Sequence, residues 1–250
     1  MPLVETESII LKTYNLADAD KIVLFLSRDH GVVRGVAKGV KRLKSRFGSG
    51  LEPFSVVALS YFEKEVLELV SIQKADLIAS YFEAASDPQF FQKFAYLSDL
   101  LILFSPPNDP NEVLYRMVRA CLDAGVEDRN SLSAIGLYFE IWLLRISGLM
   151  PDWSKCSECE RTFSENEPAS LQSNHHLICR QCRRSSGGVN VEAKHRVFLD
   201  AARRMSPREF SEYVSEYTDH VRELSLVMKR IASLHAGRDI NEGRSFAVNQ

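Results

Sequence analysis

Apolar side chains are spaced differently before and after Ser80. Before it, ESIILKTYNL, KIVLFLS, GVVRGVAK, FSVVALSYF and VLELVSIQ are five short runs rich in Val, Ile, Leu and aromatic residues. Runs of this length and composition fit strands. The polar or turn-forming stretches ADAD, SRDHG and FGSGLEP separate them. In KIVLFLS the apolar side chains fall on both faces, which predicts a well-buried strand. Five short strands with uneven loops suit a small closed or nearly closed barrel, and an open sandwich fits the same pattern.

After Ser80 the spacing becomes helical. The run from Asp87 to Phe104 begins with an N-cap aspartate followed by Pro88 at the first helical position. PPNDP at 106–110 stops it. Asn111–Ala124 and Ser131–Ser147 read as two more helices, with Gly125 and Gly148 as their stops. The second of these is apolar nearly all round its C-terminal half, as expected of a central helix in a bundle. Residues 151–190 break the pattern, and helix resumes from about Val191 to Met205 and from Arg208 to about Ala236. RDINEGRSFAVNQ has weak periodicity and reads as a flexible tail.

Cysteine placement changes the picture of the interruption. Cys156-x2-Cys159 and Cys179-x2-Cys182 are separated by 19 residues. Thiolates two residues apart in a tight turn can face one ion, and two such turns supply four sulfurs in a tetrahedron. The gap lies within zinc-ribbon spacing, so structural Zn2+ is the expected occupant. An iron–sulfur cluster or a redox pair is the alternative. Four sulfurs leave no open coordination position, which makes the site structural rather than catalytic. His175 and His176, in the intervening loop, read as residues of an exposed hairpin. Cys121, in VLYRMVRACL, reads as a small buried hydrophobe.

Charge adds a second candidate site. The chain carries a formal −2, yet RGVAKGVKRLKSRF at 34–47 holds Arg34, Lys38, Lys41, Arg42, Lys44 and Arg46 with no acidic residue from His30 to Leu51. With those six removed, the remainder stands at −8. A charge run otherwise serves as solvated surface. Here the charges are of one sign, occupy a strand end and loop, and lie among glycines 35, 39, 48 and 50, which let backbone approach a ligand. Phe47 ends the run, and Tyr14, Phe54, Tyr61 and Phe62 lie on neighbouring elements. Cations along a groove with aromatic faces suit single-stranded nucleic acid. The glycines at 31, 35 and 39 match neither a dinucleotide fingerprint nor a Walker loop.

No segment approaches the ~18 uninterrupted apolar residues of a membrane span, and MPLVETESII lacks the basic start and apolar run of a secretory signal. The expectation is a cytoplasmic protein with no membrane association. The histidines form no HExxH pair, no carboxylate-flanked metal triad is evident and no nucleophile elbow appears, so the residues point away from an enzyme.

DADKIVLFLSRDHGVVRGVAKGVKRLKSRF followed by LEPF at 51–54 resembles the N-terminal domain of the RecO family of bacterial recombination mediators. FEIWLLRISGLMPDWSKCSEC resembles the same family's junction between helical domain and zinc module. The resemblance implies an α+β protein: an N-terminal OB-fold β-barrel at 1–80, a helical domain at 81–150 and 190–237, a four-cysteine zinc module at 151–189 and a tail at 238–250. It implies binding to single- and double-stranded DNA, annealing of complementary strands, and help in loading RecA on DNA coated with single-strand-binding protein. The implied partners are RecR, the C-terminal tail of single-strand-binding protein and sometimes RecF, at the bacterial nucleoid. Lys38, Lys41, Arg42, Lys44 and Arg46 match the family's cationic loop. Family members often have glycine where this chain has Glu160, and a small residue is common where it has Val40. A zinc-ribbon interaction scaffold with incidental DNA binding is the alternative function.

Overall fold

A computed structural model describes residues 2–16, 18–43, 45–63, 69–183 and 189–240. Their contacts divide into two compact units, the first running to Leu132 and the second beginning at Ser133.

In the first unit, β1 (Leu3–Asn15), β2 (Lys21–Ser27), β3 (Gly31–Ala37), β4 (Val56–Phe62) and β5 (Val70–Ala79) close into a barrel in the order β1-β2-β3-β5-β4, with β1 pairing β4. All pairings are antiparallel except β3 with β5, where Gly35 faces Val70. A five-stranded barrel of this connectivity is the OB-fold. Period-two alternation sends Ile10, Val23, Phe25, Val33, Leu59 and Tyr61 inward to a shared core. The fifth strand lies later than the run VLELVSIQ: it starts at Val70 and continues through KADLIA, while 64–68 lie outside the described residues. Asp76, Leu77 and Ile78 in its second half are all exposed, so the inside–outside alternation that marks a strand is lost there.

Helices α1 (Phe82–Ala85), α2 (Pro88–Phe104) and α3 (Glu112–Glu127) belong to the same unit. Asp87 accepts from Gln89 N and caps α2 as the sequence indicates, and Asn111 accepts from Leu114 N and caps α3 instead of opening it. Gly125 is not a stop, because α3 runs through it to Glu127. A Cβ there would lie 2.9 Å from the Phe94 ring, so this glycine serves close helix packing. Cys121 is fully buried in α3, as expected of a small hydrophobe. Lys12 on β1 pairs with the buried Asp99 of α2 at 2.7 Å, and the Tyr115 hydroxyl of α3 donates to Glu7 at 2.8 Å.

In the second unit, α4 (Leu132–Ile146) ends where Gly148 adopts φ +69°. There Leu149 N donates to Leu144 O and Gly148 N to Arg145 O, a Schellman stop. The short strands β6 (Ala169–Leu171), β7 (Leu177–Ile178) and β8 (Val189–Val191) form a sheet ordered β7-β6-β8. Val191 is therefore in a strand, and the next helix, α5 (Ala193–Arg204), starts two residues later than 191. The last helical stretch divides into α6 (Pro207–Tyr213) and α7 (Thr218–Ala236). Buried Phe210, Val214, Val221, Leu224 and Met228 keep helical spacing across the break, so periodicity does not reveal it. Ile240 is buried and its N–H donates to Ser233 Oγ at 3.0 Å, whereas 241–250 lie outside the described residues. No helix among the described residues is long and apolar enough to cross a membrane.

Candidate nucleic-acid interface and metal centre

The connection from β3 to β4 carries most of the basic residues. Its start is tied to the β1–β2 turn: Gly39 N donates to Asp20 Oδ1 at 2.8 Å and Lys41 N to Ala19 O at 3.1 Å. Gly39 needs its freedom here, with φ +72°. Tight turns follow, Arg42 N to Gly39 O and Ser45 N to Arg42 O. Phe47 and Leu51 then enter the barrel core, and Val40 packs against the same core from the edge, which accounts for an apolar side chain at that position. Between these anchors Lys38, Lys41, Arg42 and Leu43 are left on the surface.

The six basic positions are not equivalent. Lys38, Lys41 and Arg42 lie together in one turn. Arg34 is half-buried on the outer face of β3. Arg46 is exposed but partly engaged, with its guanidinium 5.0 Å from the Phe47 ring centroid and Nη2 reaching Ile72 O at 3.4 Å. Lys44 lies outside the described residues. Among the described residues no carboxylate pairs with Arg34, Lys38, Arg42 or Arg46.

Three of the aromatic side chains suggested for stacking are unavailable. Phe47, Phe54 and Tyr61 are buried in the first unit's core because the barrel needs their volume. Phe54 holds φ +69° and packs on Phe90, Phe91 and Phe94 of α2. Tyr14 and Phe62 are only half-buried, and Lys12 Nζ stands 5.8 Å from the Tyr14 ring.

The metal-type site is built by two turns facing each other. In the first, Cys156 N donates to Arg161 O and Glu160 N to Cys156 O, both at 2.9 Å. In the second, Cys182 N and Arg183 N both reach Cys179 O at 3.2 Å. Cys179 N donates to Cys156 Sγ at 3.3 Å and joins the turns. The four sulfurs of Cys156, Cys159, Cys179 and Cys182 all lie within 4.8 Å of one another. A zinc–sulfur bond of about 2.3 Å puts tetrahedral sulfurs about 3.8 Å apart, and Cys159 and Cys179 stand at 4.0 Å. The donor set therefore fits a four-coordinate thiophilic ion.

Burial opposes ionisation of Cys179, but the N–H of Cys182 and neighbouring donors outweigh it and bring the thiol down to about 6. Glu160 takes φ +56°, a backbone state that glycine adopts at little cost. His175 and His176 lie in the β6–β7 turn outside the sulfur cluster. His176 is exposed, whereas His175 is half-buried at φ +63°, and its carbonyl accepts from Trp153 Nε1.

Fold and site together define an α+β protein: an OB-type barrel with a cationic loop, and a helical unit that carries a four-cysteine metal-type centre. Two family models make the assignment particular. Recombination protein O N terminal matches residues 1–81, and Recombination protein O C terminal matches 94–242. The chain belongs to the RecO family of DNA repair and recombination proteins. It is 38% identical to the DNA repair protein RecO of Bifidobacterium adolescentis over 66% of this chain and 67% of that one. Against the protein of that name from Bifidobacterium longum subsp. infantis identity is 33%, over 85% and 82% of the two chains. Against that of Koribacter versatilis it is 31%, over 63% of this chain, and the match spans only 64% of that relative.

One feature escapes sequence reading. Arg145 sits in the apolar run IWLLRIS, where it reads as an ordinary helix-end cation. In the structure its Nη1 is buried without an acceptor.

Proposed function

We propose that this chain is a non-enzymatic, cytoplasmic DNA-binding mediator acting at the nucleoid. It binds single- and double-stranded DNA through the β3–β4 loop, anneals complementary strands, and helps RecA load on DNA coated with single-strand-binding protein. In this reading it works with RecR, with the tail of single-strand-binding protein, and in some settings with RecF. Lys38, Lys41 and Arg42 supply the main phosphate contacts, Lys44 and Arg46 extend them along the loop, and Arg34 adds charge from the barrel wall. Structural Zn2+ is held by Cys156, Cys159, Cys179 and Cys182.

The observation carrying the proposal is the clustering of exposed Lys38, Lys41 and Arg42 on a loop whose apolar anchors are plugged into the barrel. Annealing requires no bond-making group. Cations neutralise both backbones and lower the repulsion between strands while bases find their partners, and each phosphate contact releases counterions. The family assignment supports the role in repair.

The test is binding of a fluorescent oligonucleotide across a salt series. Replacing Lys38, Lys41 and Arg42 together by glutamine should flatten the slope of log affinity against log salt by about two to three. An unchanged slope removes the loop from the interface.

A further inference from the structure

The second unit contains a cavity of about 710 Å³ bordered by the end of α4, the 150–154 connection and α5. Its size falls in the range of small-molecule sites, about 300–1,000 Å³. Four arginines line it: Arg145, Arg196, Arg203 and Arg204.

Two of the four are accounted for. Arg196 donates to the carbonyls of Glu167 at 2.5 Å and Ser164 at 2.8 Å, and its guanidinium lies 4.9 Å from the Phe163 ring centroid. Arg203 has Asp200 at 3.7 Å. Arg145 and Arg204 have no hydrogen-bond or ion-pair partner among the described residues, and Arg145 Nη1 is closed off from solvent as well. A guanidinium cannot neutralise itself by losing a proton, so a half-buried one without acceptors is left electrostatically unsatisfied. Burial, then the like charge of Arg203, disfavour the Arg145 cation, and the attraction of Asp200 only partly offsets them.

The acids lining the cavity meet this need only in part, since Asp200 favours the Arg145 cation through space without bonding to it. Asp152 accepts from Ser154 N at 2.9 Å and Ser154 Oγ at 2.6 Å, Asp200 faces Arg203, and Glu165 is exposed.

The geometry points to an oxyanion site for a phosphomonoester, with Arg145 and Arg204 as the donors and Tyr213 against the organic part. Two uncommitted guanidiniums match the nearly double charge of a phosphomonoester near neutral pH, whereas a carboxylate would use one. A concave site of this size has room for a free nucleotide or the terminal phosphate of a strand. The site is separate from the β3–β4 loop, and its existence does not depend on that loop binding DNA.

Calorimetric titration of the full metal-loaded chain with adenosine 5′-monophosphate, adenosine and inorganic phosphate tests it. Both phosphates should bind and adenosine should not. Arg145→Gln and Arg204→Gln should each weaken the mononucleotide by about tenfold. Arg222→Gln, on exposed α7 beside Asp219, should leave it unchanged. Should Arg145→Gln fail to fold, Arg204→Gln decides, because that side chain is exposed. Equal binding of adenosine, no binding of either phosphate, or unchanged affinity in Arg204→Gln overturns the site.

Hexanucleotides with a 5′-phosphate or a 5′-hydroxyl distinguish the source. A preference for the phosphorylated strand that Arg204→Gln abolishes assigns strand ends, and no preference assigns the free ester. The Lys38, Lys41 and Arg42 triple variant should keep its mononucleotide affinity, so failure of the loop and failure of this site are read separately.

Discussion

The barrel and the cysteine module solve the same closure problem with different materials. The barrel's strands run 7 to 13 residues and surround a continuous apolar core that includes Phe25, Leu59 and Tyr61. The module's strands are only three, two and three residues long. Such strands bury only a small core, chiefly Trp153, Phe163, Leu171, Leu177 and Ile178, and the four clustered sulfurs stand beside it. On the proposed zinc reading, stability in the module depends on an ion and in the barrel on side-chain volume. Metal removal should break the comparison open most widely. Structural zinc sites in isolated small modules contribute about 10–16 kcal/mol of apparent binding free energy. A strong chelator should therefore expose 151–189 to proteolysis while amide protons of β1–β5 keep their slow exchange. Equal loss of protection in both regions would mean that they do not stand independently.

Backbone strain gives the comparison a sharper form. Phe54 in the first unit and Glu160 in the module both hold positive φ, +69° and +56°. At Phe54 the side chain justifies the strain, since it fills the space against Phe90, Phe91 and Phe94. Phe54→Gly relieves about 1–2 kcal/mol of left-handed strain but forfeits the about 3–5 kcal/mol of a buried phenylalanine. A net loss of about 1–4 kcal/mol in denaturant unfolding is expected.

A third effect comes from the helices of the second unit. His195 on α5 is buried, and neither ring nitrogen has a hydrogen bond. Burial holds its imidazole below the ordinary histidine value and His220 adds to that, while Glu223 and Glu192 oppose it. The folded chain keeps this ring neutral while the unfolded chain protonates near pH 6.5. Stability from this group is therefore present above that pH and is lost as pH falls toward the depressed folded value. Between pH 6.5 and 5.5 the parent should lose up to about 1 kcal/mol more than His195→Gln, read from urea unfolding at both pH values. Parallel pH profiles would remove His195 from the account.

How much of this was legible in the sequence follows from the kind of signal each region carries. Asp87, Pro88, Asn111 and Gly148 punctuate helices through local chemistry, so three of the helix ends could be read directly. The cysteines declare their cluster by spacing, since the turn that brings two thiolates together is itself local. The fifth strand was displaced because its second half, exposed at Asp76, Leu77 and Ile78, lacks a strand's alternation, and Gly125 misled because a glycine that lets two helices approach looks like one that ends a helix. The buried rings of Phe47, Phe54 and Tyr61 could not be told from stacking platforms, because an aromatic side chain suits either task and only tertiary burial decides. Arg145 was hidden for a related reason: a missing partner is a property of three dimensions.

The smallest effect separates backbone from charge within the module. Glu160 adds a left-handed non-glycine residue and a negative charge beside four thiolates. Glycine at this position removes both, and alanine removes only the charge. Glu160→Gly should tighten metal binding by about 1 kcal/mol, roughly fivefold in competition with a chromophoric chelator. Glu160→Ala should recover less than half of that, because it keeps a Cβ at φ +56°. If the two variants gain equally, electrostatics and not backbone conformation governs the turn. Either outcome leaves Phe54 as the counter-case, where the same backbone state is maintained by what its side chain buries.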